Sequence, residues 1–260
     1  TRGTVGGLRL IPLLSPLLTR HGFRHAFFTR EGGVSEGPYA TLNFAWSTGD
    51  DEARVRENLA RAAVYLGVPA DKVFFLSQTH GIDVHRVGTG DDRELVVRKE
   101  GDAVVSTDAG VAAGVRVADC VPVLVADVKS GGVVAIHSGW RGTVADIVAA
   151  SVRALREVVP AGAELIAAVG PHLSVAGFEI GEDVAQTIEQ ASPVPDVIDR
   201  TSYAKPHADL RRVVDAQLRR AGVAEIDHVE GCTYLDAARF FSFRRDGQKS
   251  GRHLAAIVPR

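Results

Sequence analysis

Short apolar runs recur along the chain at residues 73–76, 103–105, 121–128, 133–137, 165–169 and 254–258. Their lengths and their Val, Ile, Leu and Ala content predict strands, and the lack of polar alternation in several predicts burial on both faces. The third and fourth runs are joined by Lys129-Ser130-Gly131-Gly132, a short Gly-ending connection of the kind that closes an antiparallel hairpin. These two runs are expected to pair at the centre of a sheet. A 3.6-residue period marks helices at 51–66, 143–158, 183–190 and 208–221. In the second of these Val144, Ile147, Val148, Val152 and Leu155 form one stripe, and Thr143 is expected to cap it. Strands and helices intermingle without a regular βαβ series, which predicts an α+β layered architecture with hairpins rather than a doubly wound parallel sheet. Residues 88–99, charged and Gly-containing, read as a surface excursion, and residues 1–260 as a single domain.

Composition narrows the partners. With 260 residues, 45% of them hydrophobic, the chain carries enough apolar material for one large core. Lys and Arg total 30 against 32 Asp and Glu, a formal charge of -2 that gives no global field toward nucleic acid or a membrane. A small-molecule substrate is expected. The apolar stretch at 8–18 is broken by Pro12 and Pro16, falls short of the roughly 20 residues that span a bilayer, and lacks the order of a signal peptide. The two cysteines, Cys120 and Cys232, are too sparse for a disulfide-stapled scaffold, although a single bridge between them fits the sequence. A reducing cytoplasm is expected.

Three segments place a metal-capable side chain where an apolar strand meets a Gly- or Pro-flanked loop: His80 in SQTHG, Cys120 in ADCVP and His137 in AIHSGWRG. Taken singly, each has an ordinary reading, Cys120 as a small core residue and the histidines as hydrogen-bonded strand ends. Their separations are too long for zinc-finger spacing. Together, two imidazoles and a thiolate would suit zinc and leave a fourth tetrahedral position open, as catalytic sites do.

The ordered strings SQTHG, DAVV, ADCVPVLVAD, AIHSGWRGT, FEIGEDV and FFSFRRDGQKSGR, spread over nearly the whole chain, strongly resemble the YfiH (or YlmD) family, also called the laccase domain family. The resemblance implies a zinc-dependent purine nucleoside enzyme that phosphorolyses adenosine, inosine and methylthioadenosine and deaminates adenosine. It also brings an older label of polyphenol oxidase and a link to peptidoglycan editing. By the same resemblance His80, Cys120 and His137 are the metal ligands and catalytic centre. The fold becomes a four-layer α/β/β/α sandwich related to the catalytic domain of a bacterial cytotoxic necrotising factor. Two positions depart from the family pattern: His172 stands where many relatives carry a cysteine after Val169-Gly170-Pro171, and Phe178 where a tyrosine is usual. The first puts any second-thiol role there in doubt.

Deamination at purine C6 needs an activated water, which zinc supplies by lowering the pKa of bound water to about 7. Asp119 and His85 are candidates for proton transfer by adjacency alone, with a ligand-orienting or strand-capping role the stronger reading for Asp119. Phosphorolysis needs cationic and backbone donors for phosphate, and the segment from Gly139 to Thr143, with Arg141, leads into a predicted helix. Arg30, Asn43, Ser77 and Gln78 complete the expected purine or phosphate contacts, with Gln78 equally suited to tying its loop down. Arg244 and Arg245 fit either substrate contact or an ion pair with Asp246, and Cys232 is expected to pack in the core. Copper at the same trio is the first rival, although the 9 histidines are dispersed and form no His-x-His pair of the kind multicopper sites use. The others are a metal-free cysteine hydrolase with Cys120 as nucleophile and a non-catalytic part in cell-wall quality control.

Overall fold

The computed structural model describes residues 10–260; Leu8 and Arg9, which head the early apolar stretch, lie outside them. The strands are β1 (Arg24–Phe27), β2 (Val73–Phe74), β3 (Val84–Arg86), β4 (Ala103–Ser106), β5 (Ala112–Val117) and β6 (Val121–Asp127). They continue with β7 (Val133–Ser138), β8 (Leu165–Val169), β9 (Ile198–Asp199), β10 (His207–Ala208), β11 (Val223–His228) and β12 (His253–Val258). The helices are α1 (Pro16–Arg20), α2 (Glu52–Leu66), α3 (Arg93–Val96), α4 (Trp140–Val144), α5 (Ile147–Val158), α6 (Glu182–Ala191), α7 (Leu210–Arg220) and α8 (Phe243–Asp246). None is long and apolar enough to cross a membrane.

Apart from a two-stranded ribbon of β9 and β10, the strands form a six-stranded sheet, ordered β11-β8-β6-β7-β4-β3, and a four-stranded one, ordered β1-β12-β5-β2. Both are mixed: β11 with β8, β3 with β4 and β2 with β5 run parallel, and the remaining pairs run antiparallel. The expected β6–β7 hairpin lies at the centre of the larger sheet. Its connection is pinned by Asp127, whose carboxylate accepts from Ser130 Oγ at 2.5 Å and from the Glu164 backbone N–H at 2.8 Å.

Alternation along each strand sorts the layers. Val123, Val125, Val134 and Ile136 join a core with Val148, Val152, Ile188, Val214 and Leu218 of α5, α6 and α7. The intervening Leu124, Ala126, Val133 and Ala135 face the second sheet through Phe74, Val115, Ala255 and Ile257. The opposite face of that sheet, with Leu254, Ala256 and Val258, packs on Leu59, Ala62, Ala63 and Leu66 of α2. The order is therefore helix, sheet, sheet, helices, as the resemblance implied. Sheets covered on both faces explain the uninterrupted apolar runs.

The expected helix at 143–158 is instead two. Asp146 adopts a left-handed conformation (φ 65°) and its carboxylate accepts from the Ala149 N–H, so it rather than Thr143 caps α5. Thr143 lies within α4, and its hydroxyl donates to the Gly139 carbonyl at 2.9 Å. The other three predicted helices agree with α2, α6 and α7 to within two residues at each end, and Asp51 and Asp209 cap α2 and α7.

Candidate metal centre

His137 is carried near the end of β7, where it stands opposite Pro122 in the β6–β7 register. Cys120 directly precedes β6 on the same side of the sheet, and the loop after β2 brings in His80. One ligand atom from each of the three lies within 4.8 Å of the others. Cys120 Sγ is 3.7 Å from His80 Nε2, and the two imidazole rings meet edge to face with centroids 4.8 Å apart. His137 is buried, Cys120 half-buried and His80 exposed, so the group opens to solvent on the His80 side. Among the described residues it is the one set of three or more His, Cys, Asp or Glu side chains that can share an ion. Two imidazoles and a thiolate form a donor set suited to a transition metal, so the trio can hold one.

Asp102 holds the arrangement together. This fully buried carboxylate accepts from His137 Nδ1 at 2.7 Å and from the backbone N–H groups of Thr79, His80 and Gly81 at 3.2, 3.0 and 2.7 Å. One acid thus fixes the tautomer and ring plane of one ligand and the backbone turn that presents another, leaving His137 Nε2 free to face the centre. His80 itself has φ 63°, a conformation that side-chain-bearing residues adopt at a cost of about 1–2 kcal/mol and that clusters at functional sites. Asp102 carries no assignment in the sequence reading. The register supplies the missing signal, since Ala103 pairs with Ile136 and so puts Asp102 beside His137. Gly139 is the second residue missed: a Cβ there would lie 2.5 Å from His80 Cδ2 and 3.1 Å from Cys120 Sγ, so only glycine lets the ligands converge.

Burial by itself raises the pKa of the Cys120 thiol, but the charge of His137 and hydrogen bonds from His137 and His80 bring it down to about 6. For His137, burial opposes the imidazolium, yet the Cys120 thiolate and the Asp102 hydrogen bond carry it up to about 9. Without a metal the two form a thiolate–imidazolium pair. A metal held by Cys120 and His137 would take the place of the proton between them.

Of the other predicted contacts, several have their polar groups taken up within the protein. Asn43 is fully buried, donating to the Ala45 carbonyl and Asp50 and accepting from the Ala45 and Arg252 N–H groups. Arg30 donates to the carbonyls of Ala40 and Ala237 and lies over the Phe241 ring. Gln78 donates to the Arg116 carbonyl and accepts from its N–H, so it is a loop tie. Arg141 is exposed with its guanidinium 4.5 Å from the Trp140 ring centroid, and Ser77 is exposed beside a cleft next to the trio's loop. Asp119 accepts from Thr233 Oγ1 and from the Arg244 backbone N–H, which makes it a strut, while His85 Nε2 meets the Glu100 carbonyl. Arg245 pairs with Asp246 at 2.8 Å, and Arg244 is exposed. Cys120 and Cys232 are both free thiols, and Cys232 is half-buried, accepting from Ser174 Oγ at 3.0 Å.

The family described as multi-copper polyphenol oxidoreductase laccase matches residues 24–260, a span that contains the trio, Asp102 and Gly139. The chain belongs to this laccase family. A protein from Deinococcus radiodurans named purine nucleoside phosphorylase is 40% identical over 241 residues, covering 91% of this chain and 89% of that protein. A protein of the same name from Streptomyces coelicolor is 39% identical over 240 residues, covering 92% and 96%. Among solved structures, YlmD from Geobacillus stearothermophilus superposes with a TM-score of 0.86 at 29% identity, covering 100% of this chain and 98% of that one. The laccase-family description and the phosphorylase names thus attach to one and the same fold.

Proposed function

We propose that this protein is a zinc-dependent purine nucleoside phosphorylase that converts adenosine and inosine with phosphate to free base and ribose 1-phosphate, and methylthioadenosine to adenine and 5-methylthioribose 1-phosphate, with adenosine deaminase activity at the same centre. The observation that carries the reading is the convergence of His80, Cys120 and His137 around a half-open point, in a chain 40% identical to a protein of that name. A divalent ion there supplies Lewis-acid polarisation to a bound substrate. Asp102 keeps His137 oriented and the 79–81 turn closed, and buried His137 walls the centre from water on one side. Ser77 and Arg141 keep accessible side chains for substrate or phosphate, whereas Arg30, Asn43 and Gln78 act on the site as supports. One trio serves one ion, whether zinc or copper, while phenol oxidation of the multicopper type needs several, which favours the nucleoside reading over the oxidase. Two free cysteines accord with a reducing cytoplasm.

The test is a screen of adenosine, inosine and methylthioadenosine, each with and without phosphate, on wild type, His80→Ala and His137→Ala, alongside metal analysis and a phenol oxidation assay. Phosphate-dependent base release that falls at least 100-fold in both variants, with about one zinc per chain, is the expected result. Turnover that survives chelation but is abolished by alkylation of Cys120 would instead make the protein a cysteine hydrolase. Phenol oxidation by the copper-loaded form without nucleoside turnover would make it an oxidase. Metal binding with neither activity would favour a cell-wall role.

A further inference from the structure

Beside the loop that presents His80 lies a second feature, a cleft of about 520 Å³ between the start of α2, α3 and the end of β5. Its volume is that of a small-ligand site. Its inner wall carries two arginines, each with a buried donor that no protein group meets. Arg116 Nε is buried with no hydrogen-bond partner, and its Nη groups reach only the carbonyls of Phe44 and Leu76, at 3.4 and 3.3 Å. Arg93 has a side chain 9% exposed; its Nε donates to the Val73 carbonyl, but its Nη2 is buried without a partner. The acids lining the cleft are engaged elsewhere or peripheral. Glu52 pairs with Arg56 at 2.7 Å, and Glu94, mostly exposed, pairs with Arg93 Nη1 at 3.5 Å, leaving Arg93 Nη2 and Arg116 without a carboxylate. Arg98 adds a further exposed cation at the rim. The aromatic wall is Phe75, whose centroid lies 4.4 Å from Arg116 Cζ and 5.0 Å from Arg93 Cζ, with Trp46 at 5.9 Å from Arg116.

Buried guanidinium donors left without partners oppose folding, and natural folds keep such groups chiefly where function uses them. Burial, and then the like charges of Arg93 and Arg252, lower Arg116 to about 10, so at neutral pH it remains a cation short of negative charge. A planar fork of donors held on an aromatic ring matches the oxygens of a phosphoryl group, which takes two such forks at once.

We propose that this cleft is a binding site for a phosphate-bearing small molecule, with Arg116 and Arg93 receiving the phosphoryl oxygens and the ring of Trp46 flanking whatever the phosphate carries. Free phosphate and a nucleoside monophosphate share that chemistry. The backbone of Arg116 is tied in both directions to Gln78, two residues before His80, so occupancy bears directly on the loop that presents a ligand of the metal centre. The site stands independently of the reading of the metal centre as a phosphorylase.

The test uses chelator-treated full-length protein, so that turnover and metal play no part. Inorganic phosphate, adenosine monophosphate and adenosine are titrated while Trp fluorescence and Tm are followed, with Trp46→Phe assigning the optical signal and Arg116→Met and Arg93→Gln probing the site. Phosphate and the monophosphate are expected to perturb Trp46 and to raise Tm in a way that Arg116→Met removes, and adenosine to leave Trp46 unmoved. A monophosphate at least tenfold tighter than phosphate identifies a nucleotide as the occupant, and equal affinities identify phosphate itself. Arg116→Met is expected to weaken binding at least tenfold while leaving the ligand-free Tm unchanged or higher, which a purely structural arginine would not do. Arg93→Gln checks the result with a milder change. Wild-type protein unmoved by millimolar phosphate and monophosphate, or variants that bind as tightly as wild type, would overturn the proposal.

Discussion

At the scale of single residues, the proposed metal centre depends on Asp102 as much as on its three candidate ligands. Its carboxylate serves four backbone or ring N–H donors and the Thr79 hydroxyl, so Asp102→Ala leaves several buried donors unsatisfied at once. The expected loss is about 3 kcal/mol of stability in the metal-free protein and 10–100-fold in metal affinity, read by urea unfolding and chelator competition. A metal affinity unchanged in Asp102→Ala would show that the carboxylate only supports the fold. Gly139→Ala separates the two effects, because its new methyl would collide with His80 Cδ2 and crowd Cys120 Sγ at the solvent-open side. Metal affinity should fall by at least tenfold while Tm shifts by only a few degrees. The sequence makes the three candidate ligands eligible because each lies where an apolar run meets a Gly- or Pro-flanked loop, and the resemblance to the laccase domain family is what singles them out. The sequence hides Asp102 and Gly139, since an acid before a strand and a glycine after one are ordinary until the register sets them against the ligands.

At the scale of elements, the apolar periodicity reads correctly where a layer is covered on both faces, as at β6, β7, β8 and β12. It fails for β5, where Gly114 and Arg116 break the run, and for edge strand β11, where Glu225 and Asp227 interrupt it to pair with Arg20 and Ser15 at either end of α1. The divided helix at 140–158 shows a different limit. Asp tolerates left-handed backbone and also caps helices, so Asp146 ends one helix and starts the next without disturbing the apolar stripe that suggested a single one. Its carboxylate also pairs with Arg220 of α7 at 2.5 Å. Asp146→Ala should therefore cost about 1–2 kcal/mol, from the lost cap and the left-handed strain, whereas Asp146→Gly, which relieves the strain, should cost clearly less. Equal losses in urea unfolding would mean that the Arg220 pair rather than the backbone sets the cost.

At the scale of the whole molecule, the interfaces between layers and loops are closed by histidines buried in the neutral form, and these set the response to acid. His253, at the start of β12, accepts from the Phe241 N–H through Nε2; burial above all, then the like charges of Arg30 and Arg252, hold it down to about 3. His25 accepts from the Ser15 N–H and His172 meets the Gly170 carbonyl, and burial lowers both. Above about pH 6.5 neither the folded nor the unfolded chain protonates these rings, so they add no pH dependence there. Below it the unfolded chain takes up protons that the native state refuses, and stability falls as the pH falls, by about 1.4 kcal/mol per pH unit for each such ring. For His253 the window runs from about 6.5 down to about 3. His253→Gln keeps an acceptor for the Phe241 N–H while removing the titrating ring. Urea unfolding of chelated protein between pH 4 and 6 should give a slope shallower than wild type by about one proton. Because the substitution leaves the metal-centre residues untouched, whatever they contribute cancels in the difference, and identical slopes would show that His253 is protonated in the native state after all.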